Sequence, residues 1–176
     1  MGWLNGFMKF MIRLKVVAMA DFYKDHPPFK DWVVWDLDGT LCEVGHRVHH
    51  AQAGEWEEFH KNCINDPPVQ ELVDLFKSMH EVGYHSVVLT GRTDNHRIRT
   101  NEWLINQGIW PEAILMRPEF DYSSDVELKP RLLEDYFGSK EEVLARVRLV
   151  FDDRGKVVQA LRDYGLKVMQ VKEGDY

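Results

Sequence analysis

Two aspartates separated by a single leucine, Asp36 and Asp38, close the apolar run VVW at residues 33 to 35. A second apolar run, VRLVF at 147 to 151, also ends in an acidic pair, Asp152 and Asp153, and a third, SVVL at 86 to 89, ends in Thr90, Gly91 and Arg92. A carboxylate carried to the end of a buried strand costs several kcal/mol unless it is paired or holds a metal. The plain alternative for Asp38-Gly39 is the turn of a β-hairpin, since Asp-Gly between apolar residues is a strong turn signal. A turn gives no reason for Asp-Asp to end another apolar strand. Four carboxylates brought together cannot all stay ionised without a cation, because like charges raise each other's pKa. A hard divalent ion, Mg²⁺ above all, answers them with oxygen ligands. With a cationic side chain from another strand end, such a site suits phosphoryl transfer, and an aspartate beside the ion can itself attack phosphorus.

These residues meet only if the strands run parallel. Short apolar runs alternate with amphipathic stretches along the chain: strands at 33–35, 84–90, 113–118, 147–153 and 166–171, with helical patterns between them. That alternation specifies an α/β fold, a mainly parallel sheet with helices on both faces. In such sheets the ligand site lies beyond the carboxyl ends of the strands. Residues 51 to 64 place Trp56, Phe59, His60 and Cys63 on one face of a short helix, where His60 reads as a packed core histidine. Asp66 then reads as the cap of a helix carrying Leu72, Leu75, Phe76 and Met79 on one stripe and closing at Gly83. A further helix is expected to start near Lys129-Pro130, and Trp32, Trp35, Trp103 and Trp110 are expected in the core.

The chain has 176 residues, 44% of them hydrophobic, enough for one domain with a real core. Its net charge of -7 argues against an extended surface for duplex nucleic acid, though not against a local grip on a strand end. Cys42 and Cys63 have no zinc-type spacing and read as free thiols of a reducing compartment, and the lack of a convincing export signal makes the cytoplasm the expected location. The apolar segment Trp3 to Ala20 is interrupted by Lys9, Arg13 and Lys15, so residues 1 to 30 are expected to form an extension with an amphipathic helix rather than a membrane span or signal peptide. Met19 is an alternative start.

DLDGTL at 36 to 41, VVLTGR at 87 to 92, Lys129 and FDD at 151 to 153 resemble, in order, the four motifs of the haloacid dehalogenase (HAD) superfamily. DLDGTLCEVGHR, LTGRTDNHRIRTNEWL, DVELK, DDRGKVVQALRDYGL and QVKEGDY are most similar to the 3'-phosphatase domain of phage-type polynucleotide kinase-phosphatases. The resemblance covers about residues 32 to 176, within an expected phosphatase domain of residues 31 to 176. It implies a Rossmann-like HAD fold, with Asp36 as nucleophile and Asp38 as general acid and base. It also implies Mg²⁺ held by Asp36, the Asp38 backbone carbonyl and Asp153 with Asp152 in support. Thr90, Gly91 and Lys129 would bind phosphoryl oxygens, and Arg47, Arg92 and Asp125 would be further substrate-site residues. The kinase motif GxxxxGK[ST] does not occur.

Only about two dozen residues separate the first motif from the long helix, so no large cap domain is expected and the site should be open. An open site suits a nucleic acid end. The leading expectation is a Mg²⁺-dependent phosphomonoesterase acting through an aspartyl phosphate on 3'-phosphates of nucleic acid ends or nucleotides. The alternatives are a 5'-nucleotidase on free nucleoside monophosphates and a non-catalytic module with the same fold. Arg47 with His46, His49 and His50 reads as a solvated loop, a phosphate-contacting flap or a transition-metal site. Arg97 and Arg99 read either as contacts to substrate phosphates or as solvated side chains.

Overall fold

The computed structural model describes residues 30–174. The expected helix in residues 1 to 30 therefore lies outside the described residues. Five strands, β1 (Trp32–Trp35), β2 (His85–Thr93), β3 (Ala113–Arg117), β4 (Val147–Arg154) and β5 (Val168–Gly174), form one parallel sheet in the order β3-β2-β1-β4-β5. The helices are α1 (Val48–Gln52), α2 (Trp56–Lys61), α3 (Gln70–Glu81), α4 (Arg97–Asn106), α5 (Asp125–Phe137), α6 (Lys140–Arg146) and α7 (Gly155–Tyr164), with 3₁₀ turns at Asn62–Asn65 and Asp94–His96. No described helix is long and apolar enough to cross a membrane.

Both faces of the sheet are covered, and the period-two alternation of the strands divides the core in two. Val34, Val87, Leu89 and Val150 pack with Leu128, Leu132 and Leu133 of α5 and with Val157, Val158 and Leu161 of α7. Val33, Trp35, Val88 and Phe151 pack with Val73 and Phe76 of α3 and with Trp103 and Leu104 of α4. The Trp35 ring stacks on Phe151 at 4.3 Å between centroids. Burying side chains of this size contributes roughly 1.5–3 kcal/mol each, which fixes β1 at the centre of the sheet.

Four expectations fail locally. The helix foreseen at 51 to 64 is broken at Gly54, whose φ of +76° ends α1, and the remainder splits into α2 and a 3₁₀ turn. Helix α5 begins a full turn before Lys129, at Asp125, behind a capping box made by Ser124 and Glu127, and it carries Pro130 in its interior. Asp66 caps nothing: Val69 precedes α3 with no side-chain cap, while Asp66 is buried among arginines. Trp110 and Leu75 are exposed rather than core.

Candidate active site

Asp36 is one residue past Trp35, which pairs with Phe151, and its N–H donates to the Phe151 carbonyl at 2.9 Å. Asp36 therefore lies beside Asp152, and alternation from Val34 and Val150 points both carboxylates to the α5 side of the sheet. Lys129, on the inner face of α5, donates from Nζ to Asp36 Oδ1 at 2.6 Å and to Asp152 Oδ2 at 2.5 Å, and it is fully buried. Asp36, Asp152 and Asp153 offer carboxylate oxygens within 4.8 Å of one another. Asp36 Oδ2 and both oxygens of Asp153 are buried without a hydrogen-bond partner among the described residues.

Three acids against one lysine leave this cluster two negative charges in excess. Burial, with the Asp152 and Asp153 charges added, pushes the Asp36 carboxyl up to about 7 despite Lys129. Burial and Asp152 push Asp153 up to about 7 as well. Burial works against the Lys129 charge, but Asp152 first and Asp36 second outweigh it and raise its pKa, so the lysine stays charged. Orphaned hard oxygens around an uncompensated negative charge fit a divalent cation of the Mg²⁺ kind. Gly174 keeps the space open: a Cβ there would fall 1.9 Å from Asp153 Oδ2.

Asp38 sits on the other side of the same turn. Gly39, at φ +88°, allows the chain to fold back so that Thr40 and Cys42 donate their N–H groups to the Leu37 carbonyl. The Arg92 Nε donates to Asp38 Oδ1 and Oδ2 at 3.0 and 3.1 Å, and its Nη2 reaches both Asp38 and, at 2.7 Å, Asp66 Oδ2. Arg47 Nη2 donates to Asp38 Oδ1 at 2.6 Å and to Asp66 Oδ2 at 2.5 Å, while its Nε donates to Asp66 Oδ1 at 2.7 Å. The Arg47 guanidinium also lies 4.0 Å over the Phe59 ring. Burial favours neutral Asp38, but Arg92 and Arg47 outweigh it and hold the carboxyl well below the usual carboxylate range.

Arg47 is thus neither a solvated loop residue nor a mobile flap; with Arg92 it is wholly buried and grips Asp38. Asp38, Cys42 and Asp66 also cluster closely, but two guanidiniums already occupy those oxygens, so no cation is needed there. The neighbouring histidines make no metal group: His50 Nδ1 meets Glu55 at 2.8 Å and His46 Nε2 lies 3.5 Å from Asp66.

A cavity of about 550 Å³ opens over both clusters, lined by Asp36, Asp38, Thr90, Gly91, Asp125 and Arg154 among others. Asp125 ion-pairs with Arg117 and Arg154, and a Cβ on Gly91 would come within 2.9 Å of its carboxylate, so only glycine fits beneath it. Arg97 and Arg99 bond the carbonyls of Ile114 and Lys61 and do not line the cavity. Sequence reasoning missed Asp66, Arg117, Arg154, Trp56, Phe120 and Tyr122. Arg117 ends the apolar run AILM and Arg154 follows Asp152-Asp153, so searching every strand end would have found these two. Nothing local marks the others.

A family model described as the polynucleotide kinase PNKP phosphatase domain matches residues 30–176. The chain belongs to that family. Its parallel sheet with helices on both faces is the fold of a HAD phosphatase, without a large cap among the described residues. Among solved structures, this PNKP-type phosphatase domain is similar to a chain of the "Pnkp1/Rnl/Hen1 complex", at 28% identity and a TM-score of 0.69 over 82% of its length and 46% of the other's. A chain of the "Pnkp1/Rnl/Hen1 RNA repair complex" matches at 26% identity and a TM-score of 0.72, over 86% and 46%. The PNKP-type domain thus spans about half the length of both. It shares its fold with D,D-heptose 1.7-bisphosphate phosphatase from B. bronchiseptica, complexed with magnesium and phosphate, at 14% identity and a TM-score of 0.52 over 80% and 79%.

Proposed function

We propose that residues 31 to 176 form a Mg²⁺-dependent phosphomonoesterase that removes the 3'-phosphate from a nucleic acid end through an aspartyl phosphate on Asp36. The observation that carries the reading is the pair of adjoining clusters, one short of positive charge and one balanced, beneath an open cavity in a PNKP-type phosphatase domain.

An oxygen of Asp36 forms a bond to phosphorus as the bond from phosphorus to the 3'-oxygen breaks, and the leaving oxygen takes a proton from Asp38. Water then attacks phosphorus and gives a proton to Asp38, and the Asp36 carboxylate is released with inorganic phosphate. Asp36, Asp152 and Asp153, with the Asp38 carbonyl, would hold Mg²⁺, which neutralises charge on the phosphoryl oxygens when bound. Lys129 keeps Asp36 aimed, and Thr90 and Gly91 offer hydroxyl and backbone at the phosphate position. Asp125, braced by Arg117 and Arg154, shapes that side of the pocket. Arg47 and Arg92 position Asp38 and hold it ionised at rest. A substrate arriving as the phosphate monoanion can bring the proton that Asp38 hands to the leaving oxygen, and its negative charge favours the protonated carboxyl. Containing both acid and base in one carboxylate then requires no second residue.

The test is a substrate panel ranked by kcat/KM: a 3'-phosphorylated oligonucleotide, its 5'-phosphorylated counterpart, free 3'- and 5'-mononucleotides and an aryl phosphate. The 3'-phosphorylated oligonucleotide should lead. A clear lead for free 5'-mononucleotides, with no gain from chain length, would replace this reading with a 5'-nucleotidase. Failure to hydrolyse anything would make the domain a binding module.

A further inference from the structure

Phe120 has φ +69°, and it is the one non-glycine residue with positive φ among the described residues. A bulky side chain in that region is a genuine outlier and stores strain. The strain is not repaid by packing, because the ring is 76% exposed. Tyr122, two residues on, is 90% exposed, and neither ring has an aromatic partner among the described residues. Both line the cavity that holds Asp36 and Asp38. Trp56, 56% exposed, lines the same cavity, with its ring edge-on to Phe59 at 5.8 Å.

The segment that carries Phe120 and Tyr122 is held firmly. Asp121 N–H closes a turn onto the Pro118 carbonyl at 3.1 Å, and Glu119 N–H donates to Asp94 Oδ1 at 3.1 Å. Arg117 Nη1 donates to the carbonyls of Asp121 at 3.0 Å and Ser123 at 2.6 Å, and the same guanidinium bonds the Gly91 carbonyl and Asp125. The two rings are therefore tied by one side chain to the phosphate end of the cavity. A loop so braced that nevertheless strains its backbone to leave rings in water is built to meet a flat apolar partner.

We propose that Phe120, Tyr122 and Trp56, three exposed rings lining one cavity, form an aromatic clamp for the nucleobase of the nucleotide whose phosphate is removed. This rests on the polynucleotide 3'-phosphatase reading and names what the site grips beyond the phosphate. A base attached to the sugar that bears the scissile phosphate lies in the same cavity, whose size suits a nucleotide-sized ligand. Stacking on aromatic faces accepts any base, so the clamp confers dependence on a base without sequence preference.

The experiment compares kcat/KM for two 3'-phosphorylated oligonucleotides that differ only in the terminal residue, one with a base and one abasic. The wild-type protein should prefer the base by roughly five- to a hundred-fold, the range expected for loss of aromatic stacking. Trp56→Ala, Tyr122→Ala and Phe120→Asn should each shrink that ratio, with the loss falling mainly on the base-bearing substrate. Asparagine tolerates positive φ, so Phe120→Asn should melt no lower than wild type while losing the preference. A merely structural Phe120 would instead lower the melting temperature and reduce both substrates alike. Equal wild-type rates on the two oligonucleotides would overturn the clamp and leave the 3'-phosphatase reading standing. Hydrolysis of an aryl phosphate with neither oligonucleotide cleaved would overturn both.

Discussion

Asp36 and Asp38 are two residues apart and live in opposite electrostatic worlds. On one side of the turn, Asp36 and Asp152 share one lysine with Asp153 close by, and three carboxylate oxygens are left without partners among the described residues. On the other side, Asp38 and Asp66 face Arg47 and Arg92, two charges against two, through bidentate contacts. The same burial that drives Asp36 toward neutrality is overruled at Asp38 by its guanidiniums. Proximity in sequence thus says little about ionisation; the charged side chains packed against each carboxyl decide it. An under-compensated cluster waits for a cation, whereas a compensated one sets geometry.

The largest expected effect is on chemistry. Asp36→Asn should lower turnover on the order of 10⁴-fold or more, with circular dichroism unchanged, because the amide keeps the shape and loses nucleophile and metal ligand. Asp38→Asn should cost about 10²–10⁴-fold through proton transfer. If Asp36→Asn retains near-wild-type turnover, the two sides of the turn have been given each other's roles.

Stability separates the clusters next. Arg92→Ala strands two buried carboxylates and should cost about 3–5 kcal/mol, with no recovery on adding Mg²⁺. Lys129→Ala should also destabilise in EDTA, but Mg²⁺ should restore much of the loss, because a cation can stand in for the lysine among Asp36, Asp152 and Asp153. Equal Mg²⁺ rescue of both variants, measured by thermal melts, would erase the distinction.

The pH dependence follows from the raised carboxyls. Asp36 and Asp153 lie near 7 in the folded chain, above their ordinary values near 4. Below about pH 4 both folded and unfolded chains hold these protons and the groups are neutral to stability differences. Between about 4 and 7 the unfolded chain releases protons that the metal-free fold retains, so their contribution to stability falls as pH rises through that window. A cation reverses this by favouring the ionised forms. The melting-temperature gain on adding Mg²⁺ should therefore grow from pH 5 to about 7 and then level off. A pH-independent gain would place the ion elsewhere.

The smallest effect is steric. Gly174→Ala should push the Asp153 carboxylate aside and weaken Mg²⁺ binding by roughly ten-fold, the scale of a disturbed metal surround, with little change in the metal-free melting temperature. Unchanged affinity would show that Asp153 has slack.

The parallel sheet was legible because each strand is a short apolar run with its own turn signals, and the clusters' acids because each terminates such a run. Asp66 was hidden by its neighbours: before two prolines and a helical stripe, a cap is the local reading, and only the approach of Arg47 and Arg92 from residues 19 and 26 positions away reveals its use. The α5 start was misplaced because Pro130 imitates a first turn, whereas the Ser124 and Glu127 capping box sets the true one. Trp110 was assigned to the core from apolar neighbours that turn out to bury only Ile109. Phe120 carries no sequence mark, since positive φ is a property of the folded turn.

The strand order has a consequence for how the molecule is made. β1 is synthesised first and lies in the middle, and its eventual flank β4 is among the last segments to appear. Lys129 follows Asp36 by 93 residues, so at about 5–20 residues per second a ribosome needs on the order of ten seconds to supply it, and longer to supply Asp152. During that interval β2 is already available to pair with one edge of β1, while the edge that β4 will cover is not yet matched. The acidic cluster therefore cannot be assembled until β4 docks and brings Asp152 and Asp153 beside Asp36.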